Sequence, residues 1–124
     1  MVAHEKIIRD YFNCWLTQDG SALEELFAPE IVYNECYGPE YHGLETIKRW
    51  FADWNHCGKV LQWDIKQLIH QDQRCAVEWY FNCVYDGENG EFDGVSLIEF
   101  DAQDRMISVK EFQSKIPHEF PYKY

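Results

Sequence analysis

The chain has 124 residues, of which 46% are hydrophobic and 17% aromatic, and its formal net charge is −11. This size and composition are typical of one folded domain with a substantial core, so we expect a single domain over residues 1–124 and no disordered chain. The negative charge repels nucleic acid and anionic membranes, and the basic residues are scattered, so we expect neither as a partner.

The cysteine content favours a reducing compartment. There are five cysteines, an odd number, and no Cys-x-x-Cys pair occurs. Buried, reduced thiols are typical of cytoplasmic proteins, so we predict that location. No apolar run approaches the roughly 20 residues of a membrane-spanning helix. Because Met-Val-Ala-His-Glu-Lys leads straight into an amphipathic pattern, we also expect no signal peptide.

The first two predicted elements are helices. Residues 4–18 carry an apolar stripe at a period of 3.6, and Asp19-Gly20 ends it. Ser21-Ala22-Leu23-Glu24 matches a capping box and predicts a short helix that stops before Pro29. The stripe of the first helix comprises Ile7, Ile8, Tyr11, Phe12, Trp15 and Leu16.

A strand and a longer helix follow. Residues 30–36 read as a strand, and the glycine and proline content of 37–43 predicts a loop. The pattern of 44–57 predicts a third helix, which Gly58 ends. Its apolar stripe comprises Leu44, Ile47, Phe51 and Trp54.

From there the hydrophobic period changes to two, which is typical of strands. Four long strands are predicted at 60–70, 74–86, 92–101 and 105–115. Their links, 71–73, 86–90 and 102–104, have hairpin length. Helices followed by a strand meander predict an α+β fold.

Three segments carry a resemblance to a known family. They are Leu26-Phe27-Ala28-Pro29-Glu30-Ile31-Val32, Tyr41-His42-Gly43, and Phe100-Asp101 with Arg105-Met106-Ile107. With the order of elements, they resemble the nuclear transport factor 2-like superfamily, and within it the SnoaL-like and ketosteroid isomerase-like small proteins. The resemblance implies three N-terminal helices packed in a curved, mostly antiparallel sheet, a conical open barrel of cystatin-like type. The superfamily includes isomerases, epoxide hydrolases, cyclases, dehydratases and non-enzymatic binding domains, so fold does not define the reaction.

The resemblance also implies an apolar pocket inside the cone, and strand parity decides which side chains face it. On the strand at 74–86 the inward series is Val77, Trp79, Phe81 and Cys83. The expected pocket residues are Trp15, Phe51, Trp54, Trp79, Phe81, Ser96, Ile98, Val109, Gln113 and, at the mouth, His42.

Two carboxylates, Glu35 and Glu111, lie in predicted strands whose neighbouring residues are expected to be buried. Burial opposes the charged form of an acid, so two carboxylates facing one apolar cavity form a candidate acid–base site. Two alternatives compete with this interpretation. Glu35 at a strand end can face solvent, and a shift of one residue in register puts Glu111 outside.

Comparison with two enzymes of the superfamily suggests roles for these residues. Similarity to ketosteroid isomerase places Glu35 at the position of the base and Tyr11 at that of the oxyanion-binding Tyr, while Ser96 takes the place of a protonated Asp. Similarity to limonene epoxide hydrolase places Tyr33 and Glu35 at a Tyr and an Asn that hold the attacking water. Glu111 then falls at an inward Asp, while the Arg-x-Asp of that enzyme has no counterpart. Tyr11 and Tyr33 can alternatively be core aromatics with satisfied hydroxyls.

The expected ligand is a small, apolar organic molecule, bound by a homodimer that pairs through its sheet. As an enzyme, the protein would use Glu35 as proton acceptor, Tyr11 or Tyr33 as donor to an oxyanion, and Glu111 as second acid–base group. The alternative is a non-catalytic binding or dimerisation module. His42, His56 and His70 lack metal-ligand spacing and no nucleotide motif occurs, so we expect neither a metal nor a cofactor.

Overall fold

The computed structural model describes residues 2–122, and these form helices packed against one sheet. The helices are α1 (Val2–Thr17), α2 (Leu23–Leu26) and α3 (Leu44–Cys57). The strands are β1 (Phe27–Asn34), β2 (Glu40–His42), β3 (Gly58–Gln71), β4 (Arg74–Tyr85), β5 (Glu88–Phe100) and β6 (Met106–Lys115). No helix among residues 2–122 is long and apolar enough to cross a membrane.

The sheet has the strand order β2-β1-β6-β5-β4-β3. Strands β3 to β6 form successive antiparallel hairpins, and β1 joins the last of them in parallel before pairing with β2 in antiparallel fashion. Bulges interrupt the register of β3 against β4 at two points, and bulges increase strand twist and bending. The predicted α+β architecture with a curved, mostly antiparallel sheet is confirmed.

Helices α1 and α3 supply aromatic side chains to the concave side of the sheet. Tyr11, Phe12 and Trp15 of α1 are buried, as are Ile47 and Phe51 of α3. The outer face of α1 instead carries ion pairs between residues four apart, which contribute little to stability at the surface. The apolar stripes read from the sequence therefore mark the faces that enclose the core.

Strand parity fixes which side chains reach that core. On β4 the side chains that face the helices are all buried, whereas the intervening ones stay partly exposed. The buried series comprises Cys75, Val77, Trp79, Phe81 and Cys83. This alternation follows from the period of two in a pleated strand.

Several local features differ from the sequence predictions, and the bounds of α1 and of β3 to β6 differ by one to four residues. The first strand begins at Phe27 and ends at Asn34, because Phe27 already pairs with Met106 of β6. The predicted loop contains β2, a three-residue strand whose formation depends on its partner β1. The capping box does not form: Ala22 occupies the N-cap position without a side-chain bond. The predicted link at 86–90 shortens to Asp86-Gly87, both with positive φ, as a tight hairpin turn requires.

Candidate active site

A cavity of about 40 Å³ lies between the concave face of the sheet and helices α1 and α3. Aromatic side chains dominate its wall, and all five tryptophans of the chain contribute. Among the residues that the structure describes, none of those lining the cavity is Lys, Arg or His. The lining residues are Trp15, Tyr33, Glu35, Cys36, Tyr37, Trp50, Trp54, Val60, Trp63, Trp79, Phe81, Phe92 and Glu111.

A much larger open groove, of about 890 Å³, adjoins the cavity. The two spaces share four lining residues: Glu35, Tyr37, Trp50 and Trp54. The cavity is well below the roughly 150 Å³ of a protein cavity that holds benzene. It therefore has room for one end of an organic molecule, while the groove has room for the rest.

Glu111 ends a buried chain of hydroxyl groups. The Tyr11 hydroxyl donates to the Tyr33 hydroxyl at 2.7 Å, and the Tyr33 hydroxyl donates to the Glu111 carboxylate. The parallel register aligns Tyr33 with Val109, so Glu111, two residues further along β6, faces the same side as Tyr33. Lys110, in contrast, is exposed on the outer face. The register thus places Glu111 on the inner face of the sheet and the adjacent Lys110 on the outer face.

The surroundings of Glu111 favour its protonated form. Burial raises the pKa of the Glu111 carboxyl to about 8, and the nearby charge of Glu35 acts in the same direction. The hydrogen bond from Tyr33 and one from the Cys36 backbone oppose this rise without cancelling it. Burial also raises the pKa of the Tyr11 and Tyr33 hydroxyls, so both keep their protons. At neutral pH the site therefore holds a carboxylic acid that can give up a proton.

Glu35 lies just past the end of β1 and is partly buried. The Tyr41 hydroxyl donates to it at 2.9 Å, and the Tyr41 ring stacks on Trp50 with a centroid distance of 4.7 Å. Burial raises the pKa of the Glu35 carboxyl, and the hydrogen bond from Tyr41 opposes that rise. Glu35 thus combines access to the groove with access to the cavity.

The turn after β1 holds Cys36 and Tyr37 over the cavity. The Glu35 amide donates to the Pro39 carbonyl at 2.9 Å, and Gly38 has a φ of +114°, a conformation that favours glycine. Burial, with the charges of Glu111 and Glu35, raises the pKa of the Cys36 thiol to about 12. A neutral thiol is a poor nucleophile, which leaves the carboxyl groups as the candidate acid–base groups of this cavity.

The structure distributes the predicted pocket residues over three environments. Some line the cavity: Trp15, Trp54, Trp79 and Phe81. Others are buried in the core without lining it: Phe51, Ser96, Ile98 and Val109. Two are exposed: His42 on β2 and Gln113, whose amide donates to the Cys36 carbonyl at 3.3 Å.

Two predicted residues that are buried outside the cavity bond to residues that line it. The Ser96 hydroxyl accepts a hydrogen bond from the Trp79 indole at 2.9 Å, and Ser96 pairs with Glu111 across the sheet. Tyr11 does not line the cavity, but it reaches Glu111 through Tyr33. The predicted catalytic residues Glu35, Tyr33 and Glu111 all line the cavity.

Sequence reasoning missed several residues of the wall, among them Trp50 and Trp63. Trp50 completes the helical spacing of Ile47, Phe51 and Trp54, so a signal for it was present. Trp63 faces the same side as Val60 although they are three residues apart, because a bulge in β3 shifts the parity. Within residues 2–122 no group of three or more His, Cys, Asp or Glu side chains is arranged to hold a metal ion.

A curved mixed sheet that encloses a cavity against the helices, with carboxyl groups inside, defines a protein of the nuclear transport factor 2-like class, the ketosteroid isomerase-like fold. The sequence profile of the SnoaL-like domain matches residues 8–109, so the chain belongs to the SnoaL-like domain family. No curated protein matches the chain.

Solved structures with a similar fold include an epoxide hydrolase of the LEH-like type from M. tuberculosis, with a TM-score of 0.81 and 10% identity over 91% of this chain and 84% of that one. A proposed polyketide cyclase from Xanthomonas campestris pv. campestris has a TM-score of 0.77 and 15% identity over 89% of each chain. A protein from Catenulispora acidiphila, in complex with trimethylamine, has a TM-score of 0.76 and 18% identity over 86% of this chain and 83% of that one. At such identities the likeness shows the fold alone.

Proposed function

We propose that this protein is a cofactor-free acid–base enzyme that acts on a small, largely apolar organic molecule. The observation that carries the proposal is the Glu111 carboxyl, which lies in an aromatic cavity and accepts a hydrogen bond from the buried Tyr33, itself bonded to the buried Tyr11. General acid catalysis is most effective when the pKa of the acid lies near the working pH, and the pKa of Glu111 is raised to about 8.

In this proposal the two glutamates have different roles in proton transfer. Glu35, which reaches both the groove and the cavity, accepts a proton from the substrate or from a water molecule. Glu111 delivers a proton to an oxygen or carbon atom of the substrate. Pairs of carboxyl groups whose surroundings give them different pKa values are a common basis for such a division. Isomerisation, dehydration, cyclisation and hydrolysis all need these two transfers.

We assign the two tyrosines to positioning. The Tyr11 proton points to Tyr33 and the Tyr33 proton to Glu111, so neither is free for a substrate oxygen in this arrangement. The pair fixes the carboxyl in one orientation, while the aromatic walls exclude water and strengthen electrostatic interactions. The epoxide hydrolase and the proposed polyketide cyclase among the structures of similar fold are in line with proton-transfer chemistry.

The proposal predicts that Glu111→Gln and Glu35→Gln each lower kcat by about 100-fold or more, since one proton transfer is lost. The assay follows 3-cyclohexenone isomerisation, cyclohexene oxide hydrolysis and dehydration of 4-hydroxy-2-butanone by proton NMR. The matched control is Glu99→Gln, on an exposed part of β5, which should retain full activity. Activity should also fall above pH 8, where Glu111 loses its proton. Full activity of Glu111→Gln would contradict the proposal.

We further propose that the protein pairs with a second copy through the outer face of the sheet. Phe112 on β6 and Leu97 on β5 are 55% and 45% exposed, and Val95 lies directly opposite Phe112. Exposed apolar side chains on adjacent strands favour burial against a partner. Phe112→Ser should therefore shift the protein from dimer to monomer in sedimentation velocity, and Phe120→Ser in the C-terminal tail serves as control. A monomeric wild-type protein at 100 μM (~100 times a Kd of 1 μM) would contradict this.

A further inference from the structure

The cavity brings aromatic rings and carboxyl groups together in one place. The chain has five tryptophans, and each of them lines this cavity together with Glu35 and Glu111. The face of an indole ring is the best aromatic partner for a cation, because its quadrupole is negative there. Ordinary core packing does not require that every tryptophan of a chain meet at two carboxyl groups. The wall therefore has the composition of an aromatic cage.

The two carboxyl groups lack a cationic partner in this cage. The partners that the described residues supply are neutral: the hydroxyl of Tyr41 for Glu35 and that of Tyr33 for Glu111. The neighbouring lysine, Lys110, is exposed on the outer face of β6. Ionisation of a desolvated carboxyl group without a counter-charge is unfavourable, which is why burial raises the pKa of both Glu35 and Glu111, and a bound cation would favour their charged forms.

The groove that leads to the cavity extends the same charge pattern. It is lined by three carboxylates, Glu35, Asp53 and Glu88, against one cation, Arg49. Trp54 packs on Tyr85 with a centroid distance of 5.2 Å, which adds aromatic surface along the path. With a net charge of −11 on the chain, the field attracts cations to this opening and repels anions.

The cavity also contains a hydrogen-bond donor without an acceptor. The Trp63 side chain lines the cavity and is 7% exposed, yet its indole N–H has no acceptor among the described residues. A buried donor without a partner is costly, and a ligand oxygen would satisfy it. The cavity thus offers carboxyl groups and aromatic rings to a cation, and an indole N–H without an acceptor to an oxygen atom.

We infer that the substrate of this site is an organic cation, an amine or methylated ammonium compound that also carries an oxygen atom. The ammonium group lies among the tryptophans against Glu35 and Glu111, and the remainder of the molecule extends into the groove. The cavity, at about 40 Å³, has room for a primary ammonium group, and a bulkier methylated head group would lie partly in the adjoining groove. This inference rests on the proposed function: it keeps the acid–base site and adds a cationic head group to the otherwise apolar substrate.

The test compares cations with neutral molecules of matched shape. Ethanolamine is paired with 1-propanol and choline with 3,3-dimethylbutan-1-ol, and binding is measured from tryptophan fluorescence and by calorimetry. We expect at least one cation to bind about tenfold or more tightly than its neutral partner. Equal binding within both pairs would overturn the inference. So would no binding of either cation at 100 mM, which is ~100 times a Kd of 1 mM.

The pH dependence provides an independent readout. The groups that face Glu111 are Tyr33 from β1, Tyr11 from α1, and Glu35, Cys36 and Tyr37 from the turn after β1. The tyrosines and Cys36 stay neutral below pH 9, so charge changes in that range come from the carboxyl groups. Affinity for the cation should therefore rise between pH 6 and pH 9. An affinity for the cation that is flat or falls over this range would contradict the inference.

Variants separate this inference from the proposed function. Glu111→Gln should lose the preference for the cation within each pair, whereas Glu99→Gln should keep it. If neither cation is preferred but Glu111→Gln still abolishes turnover of the neutral substrates, the substrate class is wrong and the acid–base function stands. If the cation is preferred and Glu111→Gln leaves turnover unchanged, the binding class stands and the catalytic role of Glu111 is wrong.

Discussion

Gly94→Ala should lower the free energy of unfolding by about 3 kcal/mol, the upper end of the usual cost of overpacking a core. A side-chain carbon at Gly94 would lie 2.3 Å from the Trp79 indole and 2.5 Å from the Phe112 carbonyl oxygen. Neither group can yield easily. The Trp79 indole is bonded to Ser96 and packs edge-on against Trp63, with a centroid distance of 5.7 Å, while the carbonyl belongs to the neighbouring strand β6.

The matched control for Gly94→Ala is Gly90→Ala on the same strand. There the nearest atom to an added carbon is the Cys83 sulfur at 3.9 Å, which is ordinary contact. We expect Gly90→Ala to change the free energy of unfolding by less than about 1 kcal/mol, the usual range of a tolerated substitution. Urea unfolding followed by tryptophan fluorescence measures both variants. Equal midpoints for the two would show that Trp79 or β6 moves freely, and that Gly94 does not hold the wall in place.

The sequence predicts the elements of this fold well because long strands repeat their signal many times. Strand β4 alternates through twelve residues, so a single irregular position does not obscure which side chains face inward. The helix at 44–57 is bounded by Gly43 and Gly58, and its predicted bounds are those of α3. The three-residue strand β2 carries too few residues for any period, and its pairing with β1 was not predictable from its own sequence.

The candidate site was less accessible to prediction, because its composition depends on register. Trp63 enters the cavity through a bulge in β3, and nothing in a pattern of alternation reveals where an extra residue is inserted. The inward position of Glu111 depends on the parallel pairing of β1 with β6, which joins residues about 76 positions apart, as in Tyr33 with Val109. The sequence shows that either Lys110 or Glu111 faces inward, and tertiary pairing decides which of them does.

Glu111→Gln should stabilise the protein at neutral and alkaline pH, although it removes a group proposed to be essential. The pKa of Glu111 is about 8 in the folded chain against an ordinary value of 4.5, so the folded state holds its proton more tightly than the unfolded state. Ionisation therefore costs folding free energy progressively from pH 4.5 upward, and the cost levels off above pH 8. A difference of one in pKa between the folded and unfolded states corresponds to about 1.4 kcal/mol. Because Glu111 keeps some exposure to solvent, we expect a total on the order of 3 kcal/mol.

The difference in unfolding free energy between Glu111→Gln and the wild type should thus be near zero at pH 4.5 and should grow toward pH 8. Glutamine keeps an oxygen that can accept the Tyr33 hydroxyl, so the comparison isolates the charge. Glu99→Gln, on the exposed face of β5, should show no such growth. Parallel stability curves for wild type and Glu111→Gln would mean that Glu111 ionises freely. A rising difference would show that the fold carries an acid at a cost to its own stability, which is expected of a residue placed for chemistry and not for packing.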